Sequence, residues 1–280
     1  MRGCTSGLID TISAHGLELK GKTAIVTGGS RGIGKAVARE LAREGVTLAI
    51  VARTREALQA SAAELESETG GKVLALPADT GSDDAVRAMV EEAASQLGRI
   101  DILVNCAAAP GGQAPPPKLA QITDEAFFAD MNVKVMGYLR CIREVAPHMI
   151  HNRWGRIVNI SGLAARQTGT LIGSMRNVAV VAMTKNVADE LGPHGIGAVT
   201  VHPSMTFTEA SAGMVVRRAA ADGVSEEEAK KRIYQGNLLG RVIDARDIAN
   251  VVTFLVSPKA VAINGDVVTA SGGVPRAIYY

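Results

Sequence analysis

A cluster of glycines follows the first apolar run of the chain. In "TGGSRGIGKAV", Thr27 and Gly28 end a short β-rich segment, and Gly32 and Gly34 open a segment with helical periodicity. Glycines at this spacing let the chain turn sharply and let backbone N–H groups approach a pyrophosphate at a helix N-terminus. Glycine also marks ordinary turns, but the strand–turn–helix context favours a dinucleotide-binding turn here. The residues of this turn that we expect to contact the cofactor are Gly28, Ser30, Arg31, Gly32, Ile33 and Gly34.

The charge at the end of the second predicted strand indicates which dinucleotide binds. An NAD site carries a carboxylate there, which accepts hydrogen bonds from the ribose hydroxyls. In "VARTRE" this place holds Ala52 and Arg53, and Arg31 of the glycine turn points to the same corner. Guanidinium groups favour a 2′-phosphate through charge-assisted, often bidentate hydrogen bonds. The alternative is that Arg53 and Arg55 are solvated surface charges. We expect NADP(H).

The elements that must position these residues alternate between strand and helix along the chain. Fully apolar strands in such an alternation indicate a parallel sheet that helices cover on both faces. We therefore predict an α/β fold: a single doubly wound Rossmann-type domain with about seven strands over residues 20–280, after an N-terminal extension, residues 1–19. Its ligand should lie beyond the carboxyl ends of the strands. The predicted helices after the first one cover about 55–69, 82–97, 123–148, 171–191 and 244–256.

Composition excludes several other classes of protein. The 280 residues are 47% hydrophobic and 21% charged with a net charge of +2, which predicts a sizeable core and no basic surface for nucleic acid. Cys4, Cys106 and Cys141 form no disulfide or metal-binding pattern. Neither a signal peptide nor an apolar run of about 18 residues is present, so we expect a cytoplasmic protein without a membrane span.

Together these motifs resemble the short-chain dehydrogenase/reductase family, from residue 20 to residue 274. The spacing of Thr27, Gly28, Gly32 and Gly34 is the family's. Further matches are "ADT" after the third strand, "NCAA" in place of Asn-Asn-Ala-Gly, and "HPSMTFTE" in place of the Pro-Gly segment. The resemblance implies that the adenine and nicotinamide ends of the cofactor contact residues of these three segments. Those residues are Asp79, Thr80, Asn105, Ala107, Pro203, Thr206 and Thr208.

The catalytic residues of the family are largely missing from this chain. The family protonates its substrate with a tyrosine, whose pKa is lowered by a lysine one helical turn later, and a serine orients the substrate oxygen. "GSMRNVAVVAMTK" aligns with that helix, and it has Gly173 at the tyrosine and Asn177 at the lysine; Gly162 takes the place of the serine. Asn132 in "MNVKVMG" matches the family's catalytic asparagine, and Ser161 beside Gly162 is a second candidate contact. Asn177 can still bind a ribose hydroxyl, but it carries no charge.

Several other side chains could donate a proton in place of the missing tyrosine. Arg176 is offset from Asn177 by about 100° around the helix, so we expect it to face elsewhere. For the remaining candidates a packing or solvated role is favoured over a catalytic one. They are Tyr138, His202, Tyr234, Tyr279 and Tyr280.

Three hypotheses about function follow, and all of them need the cofactor. The first is an NADP(H)-dependent oxidoreductase with a non-standard centre, acting on a small molecule. The second is a catalytically silent NADP(H) sensor or partner subunit, and the third is a non-redox reaction that uses the cofactor structurally. A complete lid segment, about 207–237, favours the first.

The sequence also predicts a homodimer or homotetramer. The run "VAVVAM", residues 178–183, is apolar on every side of its helix, and the sheet can cover only one face. We expect the remainder, with the helix around 123–148, to pack against a second copy.

Overall fold

The computed structural model describes residues 16–108 and 116–278, which form a seven-stranded parallel sheet in the order β3-β2-β1-β4-β5-β6-β7. The predicted fold class is confirmed. The order reverses between β1 and β4, and this switch point is where a doubly wound sheet opens a crevice for a ligand. The strands are β1 Thr23–Thr27, β2 Thr47–Ala52, β3 Val73–Pro77, β4 Ile102–Asn105, β5 Gly155–Ile160, β6 Ile196–Pro203 and β7 Val267–Ala270.

Helices cover both faces of the sheet and explain why the strands are apolar throughout. In β1, Ala24 and Val26 pack in one core while Ile25, between them, packs in the other. One core is closed by α1, α2 and α9, and the other by α3, α5 and α6. These helices are α1 Gly32–Arg43, α2 Arg55–Thr69, α3 Asp83–Leu97, α5 Gly137–Asn152, α6 Leu171–Leu191 and α9 Ala245–Leu255.

The helix predicted over 123–148 is three consecutive pieces. It begins as α4, Asp124–Met131, with Thr123 as its N-cap. A single π-helical turn, Asn132–Met136, then joins α4 to α5. A π turn holds one more residue than an α turn, so it rotates every following side chain relative to the α-helical count. Lys134 is the buried residue of this turn.

Two further segments pack outside the sheet and its covering helices: the predicted lid and the described part of the N-terminal extension. The predicted lid contains α7, Ala212–Asp222, and α8, Glu226–Tyr234, which enclose a small core of their own around Val215 and Tyr234. At the other end, Leu17 and Leu19 of the predicted N-terminal extension pack against the main core. Residues 1–15 lie outside the described residues. None of the described helices is both long and apolar enough to cross a bilayer.

Candidate active site

A cavity of about 1010 Å³ lies at the carboxyl ends of the strands, where the sheet order reverses. It extends from the glycine turn to the floor formed by the ends of β5 and β6, and residues of the lid segment line its opposite side. Most of the residues predicted to form the site line this pocket. They are Gly28, Ser30, Arg31, Gly32, Ile33, Gly34, Arg53, Thr80, Ala107, Ser161, Asn177, Pro203, Thr206 and Thr208.

The glycines of the turn are required by close backbone contacts. Gly28 has φ 69°, and a Cβ there would lie 3.0 Å from the backbone nitrogen of Ala107. A Cβ at Gly34 would overlap the carbonyl oxygen of Gly28. The turn therefore brings the N-terminus of α1 against the ends of β1 and β4, with backbone N–H groups at the pocket wall.

A carboxylate of the lid segment occupies the N-terminus of α1. The backbone N–H of Gly32 donates to Oε1 of Glu209 at 2.6 Å. A helix N-terminus carries a partial positive charge and unpaired N–H groups, so it attracts an anion. Glu209 satisfies the donor that a phosphate oxygen would use in a dinucleotide site.

Two arginines stand at the corner where the ribose of a dinucleotide would lie. Arg31 and Arg53 are exposed and line the pocket beside the end of β2, whereas Arg55 does not line it. No hydrogen bond or ion pair joins the guanidinium group of Arg31 or of Arg53 to another residue among 16–108 and 116–278. Both guanidinium groups are therefore available to an anionic ligand.

Asp79 and Asn105 do not line the pocket, contrary to the prediction. Asp79 is exposed at its rim, where Oδ1 accepts from the backbone N–H of Gly81 at 2.9 Å. Asn105 is fully buried, and its Nδ2 donates to Oδ1 of Asn159 at 2.9 Å. Asn105 therefore belongs to a chain of hydrogen bonds beneath the pocket, which ties β1, β4, β5, α6 and β6 together. The chain joins Thr27, Asn105, Asn159, Thr184 and Thr200.

Asn132, predicted as a catalytic residue, is not among the residues that line the pocket. Its Nδ2 donates to the carbonyl oxygen of Gly81 at 3.1 Å, and its Oδ1 accepts from Arg140 at 2.8 Å. Asn132 begins the π turn, and Lys134, two residues later in the same turn, lines the pocket. Lys134 was not among the residues predicted to form the site. The available signal was a lysine between Val133 and Val135 in an otherwise apolar stretch.

Lys134 forms a buried polar cluster with Ser161 and Asn177. Its Nζ donates to the carbonyl oxygen of Ser161 at 2.9 Å and to Oδ1 of Asn177 at 3.0 Å. Burial and, after it, the nearby Arg176 lower the pKa of Lys134 to about 7, although Asp130 acts in the opposite direction. The hydroxyl of Ser161 donates to the carbonyl oxygen of Asn177, so it is already engaged.

The glycines at positions 162 and 173 fit this cluster. A Cβ at Gly162 would lie 3.1 Å from Nδ2 of Asn177, so the asparagine amide fills the space of a side chain there. A Cβ at Gly173 would lie 2.7 Å from Cγ2 of Thr170. Thr170 is the N-cap of α6, and its Oγ1 accepts from the backbone N–H of Gly173. Gly162, Gly173 and Asn177, which replace the Ser, Tyr and Lys of the family pattern, therefore fit together sterically.

Two of the other candidate proton donors, His202 and Tyr138, already have hydrogen-bond partners. His202 is buried, and burial followed by the charge of Arg166 lowers its pKa to about 4; Nδ1 accepts from the backbone N–H of Gly162. The Tyr138 hydroxyl donates to the carbonyl oxygen of Ile160 at 3.0 Å. These two contacts fit the packing roles expected for His202 and Tyr138.

Arg176 and Tyr234, like Tyr138, line the pocket, which was not expected of them. Arg176 lines it and forms an ion pair with Asp130, with Nε buried and without a partner among the described residues. Tyr234 is buried in the lid and also lines the pocket, where its ring packs edge-on against Phe207. The Tyr234 hydroxyl has no partner among the described residues. Tyr279 and Tyr280 lie outside the described residues.

Comparison with known proteins gives consistent results. Residues 28–275 match the family model described as Enoyl-(Acyl carrier protein) reductase. The chain is 33% identical over 253 residues to Short-chain reductase protein NovJ of Streptomyces niveus, covering 90% of this chain and 93% of that protein. It is 29% identical over 260 residues to NADPH-dependent reductase BacG of Bacillus subtilis, covering 92% and 99%. The structure superposes on L-sorbose reductase from Gluconobacter frateurii, complexed with NADPH and L-sorbose, with a TM-score of 0.85 and 25% identity over 92% of this chain and 98% of that one.

Proposed function

The chain belongs to the short-chain dehydrogenase/reductase family, and from that membership we propose that it is an NADP(H)-dependent oxidoreductase acting on a small organic molecule. One observation carries this proposal. A single pocket contains both the glycine turn at the start of α1 and the buried cluster of Lys134, Ser161 and Asn177. A dinucleotide laid across the switch point would place its reactive ring between that cluster and the lid. The relatives described as reductases support catalysis over the silent-sensor alternative.

The choice of NADP(H) rests on Arg31 and Arg53. Both line the pocket without partners among the described residues, and Ala52 stands where an NAD site carries a carboxylate. The BacG relative is described as NADPH-dependent, and the L-sorbose reductase was solved with NADPH, which agrees with this choice.

Fluorescence titration with NADPH and NADH tests the cofactor assignment. We expect NADPH to bind at least tenfold more tightly, because a charge-assisted pair contributes about 1.5–3 kcal/mol. Arg53→Ala should weaken NADPH binding and leave NADH binding nearly unchanged. Arg55→Ala is the matched control, since Arg55 lies outside the pocket lining. Equal affinities for the two dinucleotides would contradict the assignment.

Turnover is tested by NADPH absorbance against a panel of small carbonyl compounds. The panel includes ketoses, because one structural relative was solved with L-sorbose. We expect consumption of NADPH with at least one class of ketone or aldehyde. NADPH binding without consumption across the panel would favour the silent-sensor reading.

We also propose that the protein is a homodimer or homotetramer. The outer faces of α4 and α6 expose large apolar side chains, with Phe128 65%, Met175 49% and Val178 50% exposed. These exposures support the expectation that a second copy covers this face. Val178→Glu should dissociate the oligomer, whereas Lys185→Glu, also on α6, should not. Light scattering that gave a stable wild-type monomer of 29.1 kDa at micromolar concentration would contradict the proposal.

Finally, we propose a cytoplasmic location. Cys106 and Cys141 are free thiols, as expected of a protein in a reducing compartment. Cell fractionation with a tagged chain tests this, and recovery of the protein outside the cytoplasmic fraction would contradict it.

A further inference from the structure

Lys134 places a buried ammonium group in the floor of the pocket. The residue is 4% exposed, yet it lines the cavity, and Nζ donates to the Ser161 carbonyl oxygen and to Oδ1 of Asn177. An ammonium group has three N–H donors. Two are used by these acceptors, and the third has no partner among the described residues. A buried donor facing a ligand pocket without a partner points to a ligand acceptor.

Three other polar side chains near Lys134 already have hydrogen-bond partners. The Tyr138 hydroxyl donates to Ile160, and the Ser161 hydroxyl donates to Asn177. His202 accepts a hydrogen bond from Gly162 through Nδ1. Carbonyl reduction needs a proton as well as a hydride, and position 173, on the same helix as Asn177, holds a glycine. Two further pocket residues have an unpartnered donor among the described residues: Arg176, whose guanidinium keeps its proton, and Tyr234, which lies in the lid. Lys134 is therefore the titratable donor of the cluster beneath the pocket.

We propose that Lys134 is the proton donor of the reaction, an inference that rests on the proposed function. When bound, NADPH supplies a hydride and is oxidised to NADP⁺. The carbonyl carbon of the substrate accepts that hydride, the electron pair of its C=O π bond moves to oxygen, and the oxygen takes a proton from Nζ of Lys134. Lys134 is left as a neutral amine with two N–H groups, which match the two acceptors on Ser161 and Asn177. A proton from solvent then restores the ammonium.

The charges around Lys134 suit a group that both gives and regains a proton. Arg176 from α6 disfavours the ammonium, while Asp130 from α4 favours it. Cys106 after β4 is also nearby, but burial raises the pKa of its thiol to about 12, so it is uncharged near pH 7. His202 from β6 also lies within electrostatic reach. A general acid works best when its pKa lies near the working pH, and the pKa of Lys134 is lowered to about 7.

Competitive labelling of amines tests the titration of Lys134 without any turnover. Acetic anhydride is applied across a pH series to the protein, and acetylation of the Lys134 peptide is measured by mass spectrometry. Lys185, exposed on α6, is the reference for reagent strength. We expect a reactivity midpoint near pH 7 for Lys134, well below the ordinary value of 10.5, and protection when NADPH is added. A midpoint near the ordinary value, or no reaction at any pH, would overturn the proposal.

Two substitutions separate proton donation from charge. Lys134→Gln should lower turnover by about 10²–10⁴-fold. Lys134→Arg keeps the positive charge but holds its proton, and it should be nearly as slow. Lys185→Gln is the control, and unchanged NADPH binding shows that each variant is folded. An active Lys134→Arg variant, or loss of activity in Tyr234→Phe but not in Lys134→Gln, would overturn the proposal.

The two proposals fail in different ways. Failure of the proposed function is absence of NADPH binding or of turnover in the wild-type protein. Failure of the Lys134 inference is an ordinary or absent labelling midpoint in a protein that binds NADPH. The labelling result decides the second question even if no substrate in the panel reacts.

Discussion

Replacing Lys134 by methionine should change how stability depends on pH. Methionine has a similar length but no charge, so Lys134→Met removes the titration while filling most of the space. The folded protein lowers the pKa of Lys134 from 10.5 to about 7. At about 1.4 kcal/mol for each pKa unit, the buried ammonium lowers the free energy of unfolding by about 5 kcal/mol below pH 7, relative to the neutral amine.

The sign follows from proton binding in the two states. Between about pH 7 and pH 10.5 the unfolded chain keeps a proton on this lysine and the folded protein does not, so wild-type stability rises with pH in that window. Of the whole effect, about 2 kcal/mol should develop between about pH 7 and pH 9. The variant should lack this rise.

The methionine also removes two hydrogen bonds, to Ser161 and Asn177. Leaving those buried acceptors without a donor costs about 1–3 kcal/mol for each. That cost does not depend on pH, so it lowers the free energy of unfolding of the variant equally at every pH. The slope of that free energy against pH is unchanged by this cost. The difference in slope between the two proteins is therefore the measured quantity.

Urea unfolding of both proteins at equal concentration over this pH range provides the assay. All other titrating groups contribute equally to the two curves and cancel in the difference. Curves that stay parallel from about pH 7 to pH 9 would show that Lys134 keeps an ordinary pKa. That result would refute the account of its burial.

Three further predictions concern the same pocket. Gly173→Tyr with Asn177→Lys should not raise turnover above that of the wild type. A Cβ at 173 crowds the Thr170 cap, at a cost of about 1 kcal/mol, and a second ammonium would meet Lys134. The free energy of unfolding of the wild type should fall by about 3 kcal/mol as the pH drops from about 6.5 to 4, because the unfolded chain binds the histidine proton first. His202→Asn should lack this fall. Glu209→Ala should tighten NADPH binding about two- to fivefold, because it removes a competing anion from the helix N-terminus.

Each of these has a clear contrary outcome. Turnover of the double variant above wild type, measured on the carbonyl panel, would show that the glycine site tolerates the usual pair. Identical acid unfolding of wild type and His202→Asn would show that His202 titrates normally. Unchanged or weaker NADPH binding by Glu209→Ala, with Glu226→Ala on α8 as the control, would show that Glu209 does not compete.

The fold was predictable because its signals are local and repeated. Apolar strands such as "TAIVT" alternate with helices that end at glycines, and Gly70 and Gly98 adopt the left-handed conformation after α2 and α3. The glycine turn was predictable for the same reason, since Gly28 and Gly34 are fixed by contacts that no side chain tolerates.

The floor of the pocket was predictable only in part. Asn132 was assigned by its match to a motif, whereas Lys134, two residues later in the π turn, is the residue that lines the pocket. Arg176 was assigned to another face by the angle between neighbours alone, whereas its long side chain reaches the pocket and pairs with Asp130. Asn105 matched a motif, but its side chain joins the buried chain through Asn159. These placements depend on tertiary packing rather than on spacing along the chain.

The hydrogen bond between Glu209 and Gly32 links the lid to the order in which ligands bind. Gly32 has one backbone N–H, so it cannot serve the carboxylate and a phosphate oxygen equally. While Glu209 holds that donor, the first residues of the lid are tied to α1. A phosphate that takes the donor releases them, and the lid can then close over a second molecule. Initial-rate kinetics should accordingly follow an ordered scheme, in which the dinucleotide binds first and leaves last.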